Sequence, residues 1–184
     1  NNHQAHLVKM LKKINPGFRD EQLVVYKTLM SRVEDNIQKG FWNKLKDELR
    51  SNNYKFFLDL LKEIRDSILA LLPKRKTNSL TQRIVNEFDE YFNMEYIKDM
   101  TDADAYSGTD FLHLADYLVG IIKDIQAPAR TVDMIKEWAE LNKKILTNEL
   151  KETEDKGAAI IKFLLDEVQM VKDNILALKV MTDF

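Results

Sequence analysis

Cysteine is absent from this chain of 184 residues. Its absence excludes disulfides, thiolate nucleophiles and cysteine-ligated zinc sites, and it leaves the redox compartment open. Glycine and proline are scarce, with five and three copies respectively. Because turns use these two residues and β-sheet proteins need many turns, their scarcity favours few, long secondary-structure elements.

Long hydrophobic runs and a strong charge of one sign are also missing. No apolar stretch approaches the roughly 18 residues of a membrane-spanning helix, so we expect no transmembrane segment. The formal net charge is −2 and the isoelectric point about 6.0, which predicts no global attraction for DNA or anionic lipid, although local patches stay open. The start, NNHQAHLVKM, has neither an initiator methionine nor a signal peptide, so we expect a segment of a longer protein.

Helical periodicity is what the sequence does contain, within a globular composition of 45% hydrophobic and 32% charged residues. Residues 54–72 are apolar on most of the helix circumference, which predicts a central helix that ends at Pro73. An amphipathic helix is predicted over 129–150, and no stretch is typical of a strand. The sequence therefore predicts an all-α fold, a single-core bundle of about seven to nine helices forming one helical domain over residues 1–184.

Several helix boundaries are predicted from individual residues. Gly40 is expected to bend or interrupt the helix that contains it. Thr77 or Asn78 is expected to cap the helix that follows the central one, and Thr109 or Asp110 the apolar helix after that.

Catalytic and metal-binding patterns fail when each is tested. The stretch DADAYSGTDFLH opens like a calcium loop, but Tyr106, Ser107 and His113 stand at positions where an EF-hand needs other residues. His3 and His6 lack a third metal ligand. The G-x-S-x-G, P-loop and dinucleotide-binding motifs are absent. We therefore predict no catalytic residue, cofactor or metal and a non-enzymatic protein, with an unrecognised enzyme as the minor alternative.

A compact group of cations follows the central helix. Lys74, Arg75 and Lys76 form what we call the basic corner, and Arg83 lies two turns further on. These charges could complement the C-terminal dipole of the helix, worth about 0.3–1 kcal/mol. They could equally contact a phosphate group or an acidic partner.

An adjacent aromatic pair, Phe41 and Trp42, is the other candidate contact. Neighbours in a helix point about 100° apart, so one ring can be core while the other anchors an interface. Both rings belonging to the core is the competing interpretation. Arg65 and Asn142 interrupt apolar stripes and are predicted to join helices through hydrogen bonds, with a place in the lining of a groove as the alternative for either.

The order of these features resembles the T-complex protein 11 family. The likeness rests on GFWNKLKDEL (40–49), LLKEIRDSILALLPKR (60–75), LTQRIVNEFDEYF (80–92), SGTDFLHLADYLVGIIKDIQAPAR (107–130) and LLDEVQMVKDN (164–174). Gln126 stands where the family has a cysteine, Thr131 replaces its usual acidic residue, and KDMTDADAY replaces a Gln- and Glu-rich stretch. The resemblance implies a divergent member and the N-terminal part of a longer T-complex protein 11-like chain.

The resemblance also implies a function, because the family is associated with signalling, especially modulation of the cAMP and protein kinase A pathway. The first hypothesis is a non-enzymatic adaptor that binds proteins of this pathway through Phe41, Trp42 and the basic corner. It would be cytoplasmic, with flagellar or cell-peripheral association implied by the family. The alternative is a binder of anionic ligands (inositol phosphate, phospholipid head group or RNA) through the basic corner and Arg83. The oligomeric state stays open.

Overall fold

The computed structural model describes residues 9–10, 13, 20–74 and 78–182. These residues form helices joined by turns and contain no strand. The helices are α1 (Asp20–Arg50), α2 (Lys55–Leu71), α3 (Ser79–Tyr91), α4 (Met94–Asp102), α5 (Gly108–Ile125), α6 (Pro128–Leu146) and α7 (Thr153–Thr182). The all-α prediction is confirmed, and the helix count of the described residues lies at the low end of the expected range. None of these helices is long and apolar enough to cross a membrane.

The chain divides into two compact units, residues 1–44 and 45–184. Six helices, α2 to α7, lie wholly in the second unit, while α1 has residues in both. Of the bend or interruption expected at Gly40, the interruption is wrong, since α1 continues through this residue to Arg50. One glycine costs a helix only about 1 kcal/mol, which a long helix tolerates. The single domain over residues 1–184 stays a prediction.

The core of the second unit forms around α2, α5 and α7. Helix α7 packs against α2, α5 and α6, and α2 also packs against α4. The most deeply buried side chains are Leu45, Leu61, Ile64, Ile68, Ile84, Phe88, Phe92, Ala115, Leu118, Ile122, Met134, Ile161 and Leu164. Full burial of one such side chain contributes about 1.5–3 kcal/mol. The predicted central position of the leucine-rich helix, α2, is confirmed.

Side-chain caps and left-handed residues define several of the helix ends. Asn78 caps α3 by accepting hydrogen bonds from two backbone N–H groups of its first turn. Ser107 caps α5 in a reciprocal box. Its hydroxyl accepts from the Asp110 N–H at 3.1 Å, and the Asp110 carboxylate accepts from the Ser107 N–H at 2.9 Å. The cap expected at Thr109 or Asp110 was therefore placed too late. Helix α6 ends at Leu146, before residue 150, because the backbone turns at Asn148 with φ of 58°.

Polar contacts join neighbouring helices of the second unit. Arg65 Nε on α2 donates to the Phe92 carbonyl oxygen at 3.0 Å, just after α3 ends. Trp138 Nε1 on α6 donates to Asp116 Oδ1 on α5 at 2.7 Å. The buried Oδ1 of Asn142 accepts no hydrogen bond from the described residues. Arg65 thus makes a link of the kind expected, and the Asn142 oxygen does not.

Candidate functional site

The ends of five helices surround a groove of about 1000 Å³ in the second unit, which we call the helix-end groove. Helices α1 and α6 end at it, and α2, α5 and α7 begin at it. Its apolar lining consists of Leu49, Phe57, Phe111, Leu112, Ile145, Leu146 and Ile160. Most of these side chains are buried or half-buried, but Leu146 is 72% exposed. The groove therefore has an apolar lining in which Leu146 is the residue left largely exposed.

Turn residues explain why several helices end near one another. Asn52, Asp104 and Asn148 have φ values of 58°, 53° and 58°, and each lies within two residues of a helix end. Asparagine and aspartate adopt this left-handed conformation more readily than most residues, because their short side chains bond locally to the backbone. The chain consequently leaves the helical path at these positions and passes into the loops beside the groove.

An ion pair and a close helix approach hold the groove where α1 meets α7. Arg50 Nε lies 2.9 Å from Glu154 Oε1, and this hydrogen bond raises the pKa of Arg50. The pKa of Glu154 is lowered first by its own backbone N–H and then by Arg50, so the pair stays charged at neutral pH. A Cβ atom at Gly157 would lie 3.2 Å from Leu49 Cδ1, which explains why glycine suits this contact.

Two tyrosines add polar groups to the lining of the groove. Burial, followed by the nearby Asp104 carboxylate, raises the pKa of Tyr54. Burial also raises the pKa of Tyr106, with Asp110 as the next cause. Both phenols are therefore neutral hydrogen-bond donors at physiological pH. A groove that combines apolar side chains, neutral donors and a rim ion pair suits an amphipathic helix better than a small charged substrate.

Among the described residues, no three histidine, aspartate or glutamate side chains lie close enough together to hold a metal ion. Histidine is also missing from the described lining of the groove. The lining thus offers no pairing of a hydroxyl nucleophile with an imidazole base.

The predicted aromatic contact lies in the first unit. Phe41 and Trp42 pack edge to face, with ring centroids 4.8 Å apart. Both side chains are half-buried. The pair is therefore neither wholly core nor divided into one core ring and one exposed ring. Their role in binding a partner stays a prediction.

The predicted cationic contacts are placed only in part. Lys74 is exposed beyond the end of α2, whereas Arg75 and Lys76 lie outside the described residues. Arg83 Nη2 lies 2.6 Å from Asp124 Oδ2, so this guanidinium already joins α3 to α5. The basic corner stays a prediction, and Arg83 has an acidic partner within the fold.

A buried polar cluster that was not predicted from the sequence joins α6 to α7. Arg130 binds Glu167 through Nε at 3.4 Å and through Nη2, and its Nη2 also lies 2.6 Å from Glu137. Gln126 Nε2 donates to Glu167 at 3.4 Å, and Asn174 Nδ2 donates to Gln126 Oε1 at 3.1 Å. Glu167 is only 1% exposed. The hydrogen bond to Glu167, followed by the one to Glu137, raises the pKa of Arg130. The Arg130 guanidinium therefore stays positively charged beside the buried Glu167 carboxylate.

Comparison with known proteins identifies relatives over most of the chain. The family model described as T-complex protein 11 matches residues 13–173. This range includes the whole lining of the groove and, apart from Asn174, the whole buried cluster. A human protein, T-complex protein 11 homolog, is 26% identical over 115 residues, which is 61% of this chain and 21% of the human one. The matched region is thus about a fifth of that relative. No solved structure matches significantly.

Proposed function

Since the chain belongs to the T-complex protein 11 family, we propose that it is a non-enzymatic helical module that binds other proteins in signalling. The family resemblance suggests the cAMP and protein kinase A pathway as the setting and the cytoplasm as the location. The proposal concerns the helical region covered by the family match.

The helix-end groove is the observation that carries this proposal. An apolar side chain as exposed as Leu146 gains free energy when a partner covers it, by roughly 25 cal/mol per Å² removed from water. An amphipathic helix presents apolar residues at i, i+4 and i+7 along one face, which fits a groove with an apolar lining. Tyr54, Tyr106 and the Arg50–Glu154 pair would then meet the polar sides of that helix.

The test is affinity capture from a lysate of the source organism, with bound proteins identified by mass spectrometry. The groove variant is Leu146→Asp, which places a charge at an exposed position that folding does not need. Its matched control is Val132→Asp on the same helix, because Val132 is 70% exposed and does not line the groove. Unchanged melting temperatures for both variants establish that any effect concerns binding.

We expect protein kinase A subunits or their regulators with the wild-type chain and with Val132→Asp. With Leu146→Asp we expect at least tenfold less of them, equivalent to about 1.4 kcal/mol of binding free energy. Equal capture by both variants would reject the groove as the binding surface. Capture of specific partners unrelated to this kinase would reject the pathway while leaving the groove in place.

The basic corner is tested in the same experiment with Lys74→Glu, Arg75→Glu and Lys76→Glu combined. A selective loss of partners would make it a contact, and unchanged capture would assign these charges to the helix end. The alternative of anionic ligands loses strength because Arg83 is paired with Asp124. It predicts binding to inositol phosphates, anionic vesicles or RNA at about 50 mM salt that weakens steeply as salt rises.

A further inference from the structure

Four tyrosines converge on a second cavity, of about 330 Å³, between α3, α4 and α5. Tyr91 comes from the end of α3, Tyr96 from α4, Tyr106 from the loop before α5 and Tyr117 from α5. We call this the tyrosine pocket. Tyr91 and Tyr96 are 57% and 60% exposed, and both line the cavity. Their faces are therefore accessible to a ligand.

The inner rings of the tyrosine pocket are held in place by packing and hydrogen bonding. The centroids of Tyr91 and Tyr117 lie 5.5 Å apart in a tilted arrangement, and Tyr117 also packs edge to face with Phe88 at 6.2 Å. The Tyr117 hydroxyl donates to Glu87 Oε2 at 2.8 Å. Burial and this bond raise the pKa of Tyr117, so the ring is a neutral, fixed surface. A ligand would find this wall already formed.

The charges around the pocket favour a cation. The carboxylates of Glu90 and Asp110 line it together with the imidazole of His113, and no lysine or arginine is found in its described lining. Hydrogen bonds from the backbone and side chain of Ser107 lower the pKa of Asp110, which keeps this group a carboxylate. Arg83 acts electrostatically on Tyr117, but its own charge is paired with Asp124. The negative faces of the aromatic rings add to the attraction of the two carboxylates.

We propose that the tyrosine pocket binds the cationic side chain of a lysine or arginine in a basic segment of a partner protein. The cavity volume suits one long side chain, with its alkyl stem against Ile97, Met100 and Leu114 and its charged head between the rings and the carboxylates. This site is separate in chemistry from the helix-end groove, although Tyr106 borders both. The inference does not depend on the proposed function, because it uses neither the groove nor the identity of its partner.

The test is an NMR titration of the whole chain with N-acetyl-arginine amide and N-acetyl-lysine amide. The matched neutral probe is N-acetyl-citrulline amide, which has nearly the shape of the arginine probe without its charge. We expect saturable shifts of the Tyr91 and Tyr96 ring signals with at least one cationic probe and none with citrulline. The arginine and lysine arms show which head group the pocket prefers. No shift with either cation, or equal shifts with citrulline, overturns the proposal.

Four single variants test whether the cationic probes bind in the tyrosine pocket. Tyr96→Leu removes an exposed ring and should weaken binding about two- to fivefold, the effect of one exposed cation–π contact. Tyr96→Phe keeps the ring face and should retain the affinity. Glu90→Gln should weaken binding, whereas Glu95→Gln, the same charge change at an exposed residue outside the lining, should not. If Tyr96→Leu and Glu90→Gln each bind the cationic probe with wild-type affinity, the tyrosine pocket is rejected as the binding site. This holds whatever the capture experiment on the groove shows.

Discussion

Removal of Arg130 should destabilise the fold far more than removal of an exposed arginine that also bridges two helices. Glu167 is 1% exposed, and in Arg130→Met its carboxylate would keep, among the described residues, only the 3.4 Å hydrogen bond from Gln126. Breaking a buried ion pair by deleting one partner typically costs about 3–5 kcal/mol, because the remaining charge stays buried without compensation. The Arg130 side chain is itself 20% exposed, so in the variant water can supply part of the hydrogen bonding that Glu167 loses. We therefore expect the free energy of unfolding to fall by about 3 kcal/mol, the low end of that range.

The matched control is Arg83→Met. Arg83 and Asp124 also form an arginine–carboxylate pair between two helices, but both side chains are half exposed or nearly so. Such pairs contribute about 0.2–1 kcal/mol because water and salt screen them. The free energies of unfolding would be measured by urea titration, with circular dichroism and tryptophan fluorescence as two probes whose agreement tests two-state behaviour.

A double variant distinguishes the ion pair from simple loss of packing. Arg130→Met with Glu167→Leu replaces both charges by apolar groups, and such replacements of buried pairs are often neutral or stabilising. We therefore expect the double variant to be more stable than Arg130→Met alone. The reasoning would be refuted if the double variant lost as much stability as Arg130→Met and Glu167→Leu lose together as single variants. An Arg130→Met loss no larger than that of Arg83→Met would refute it as well.

Two further predictions concern stability. Asp110→Ala should lower the melting temperature at pH 7 but have progressively less effect as the pH falls below about 4. Hydrogen bonds lower the pKa of Asp110 in the folded state, so its contribution to stability is lost once the carboxylate is protonated. A difference in melting temperature that persists undiminished at pH 2 would contradict this. Leu118→Ala, at a fully buried position of α5, should cost about 2–5 kcal/mol in urea unfolding. Leu146→Ala, at an exposed position, should stay within about 0.5 kcal/mol of wild type, and equal losses would contradict the burial assigned to the two leucines.

The fold followed from the sequence wherever one physical signal dominated. Residues 54–72 are apolar around most of a helix, and α2 is accordingly a central helix with Ile64 and Ile68 fully buried. Boundaries were less accurate because several polar residues competed for each cap. Thr109 and Asp110 are both good caps in isolation. The reciprocal bonds between Ser107 and Asp110, however, satisfy two backbone N–H donors at once and start α5 earlier.

The sites were harder to predict because they depend on contacts between distant residues. Arg130 was part of a recognised segment, yet its partner Glu167 lies 37 residues later. One signal was available, since Glu167 falls at i+3 from Leu164 on the apolar stripe of α7, where a charge needs a partner. The tyrosine pocket gave no such signal, because its four rings come from three helices and a loop whose packing the sequence does not specify.

The segments that carry the family likeness and the surfaces proposed for binding overlap only in part. Arg130 and Glu167 belong to recognised segments, and they pair where α6 meets α7, with Glu167 buried and Arg130 half-buried. Leu146 and Tyr96, the accessible residues of the groove and the pocket, lie outside every segment that supports the resemblance. The likeness therefore argues for a shared scaffold more strongly than for a shared partner. If that is correct, Leu146→Asp and Tyr96→Leu will change what the chain binds without changing its unfolding free energy, and Arg130→Met will do the reverse wherever the protein remains folded.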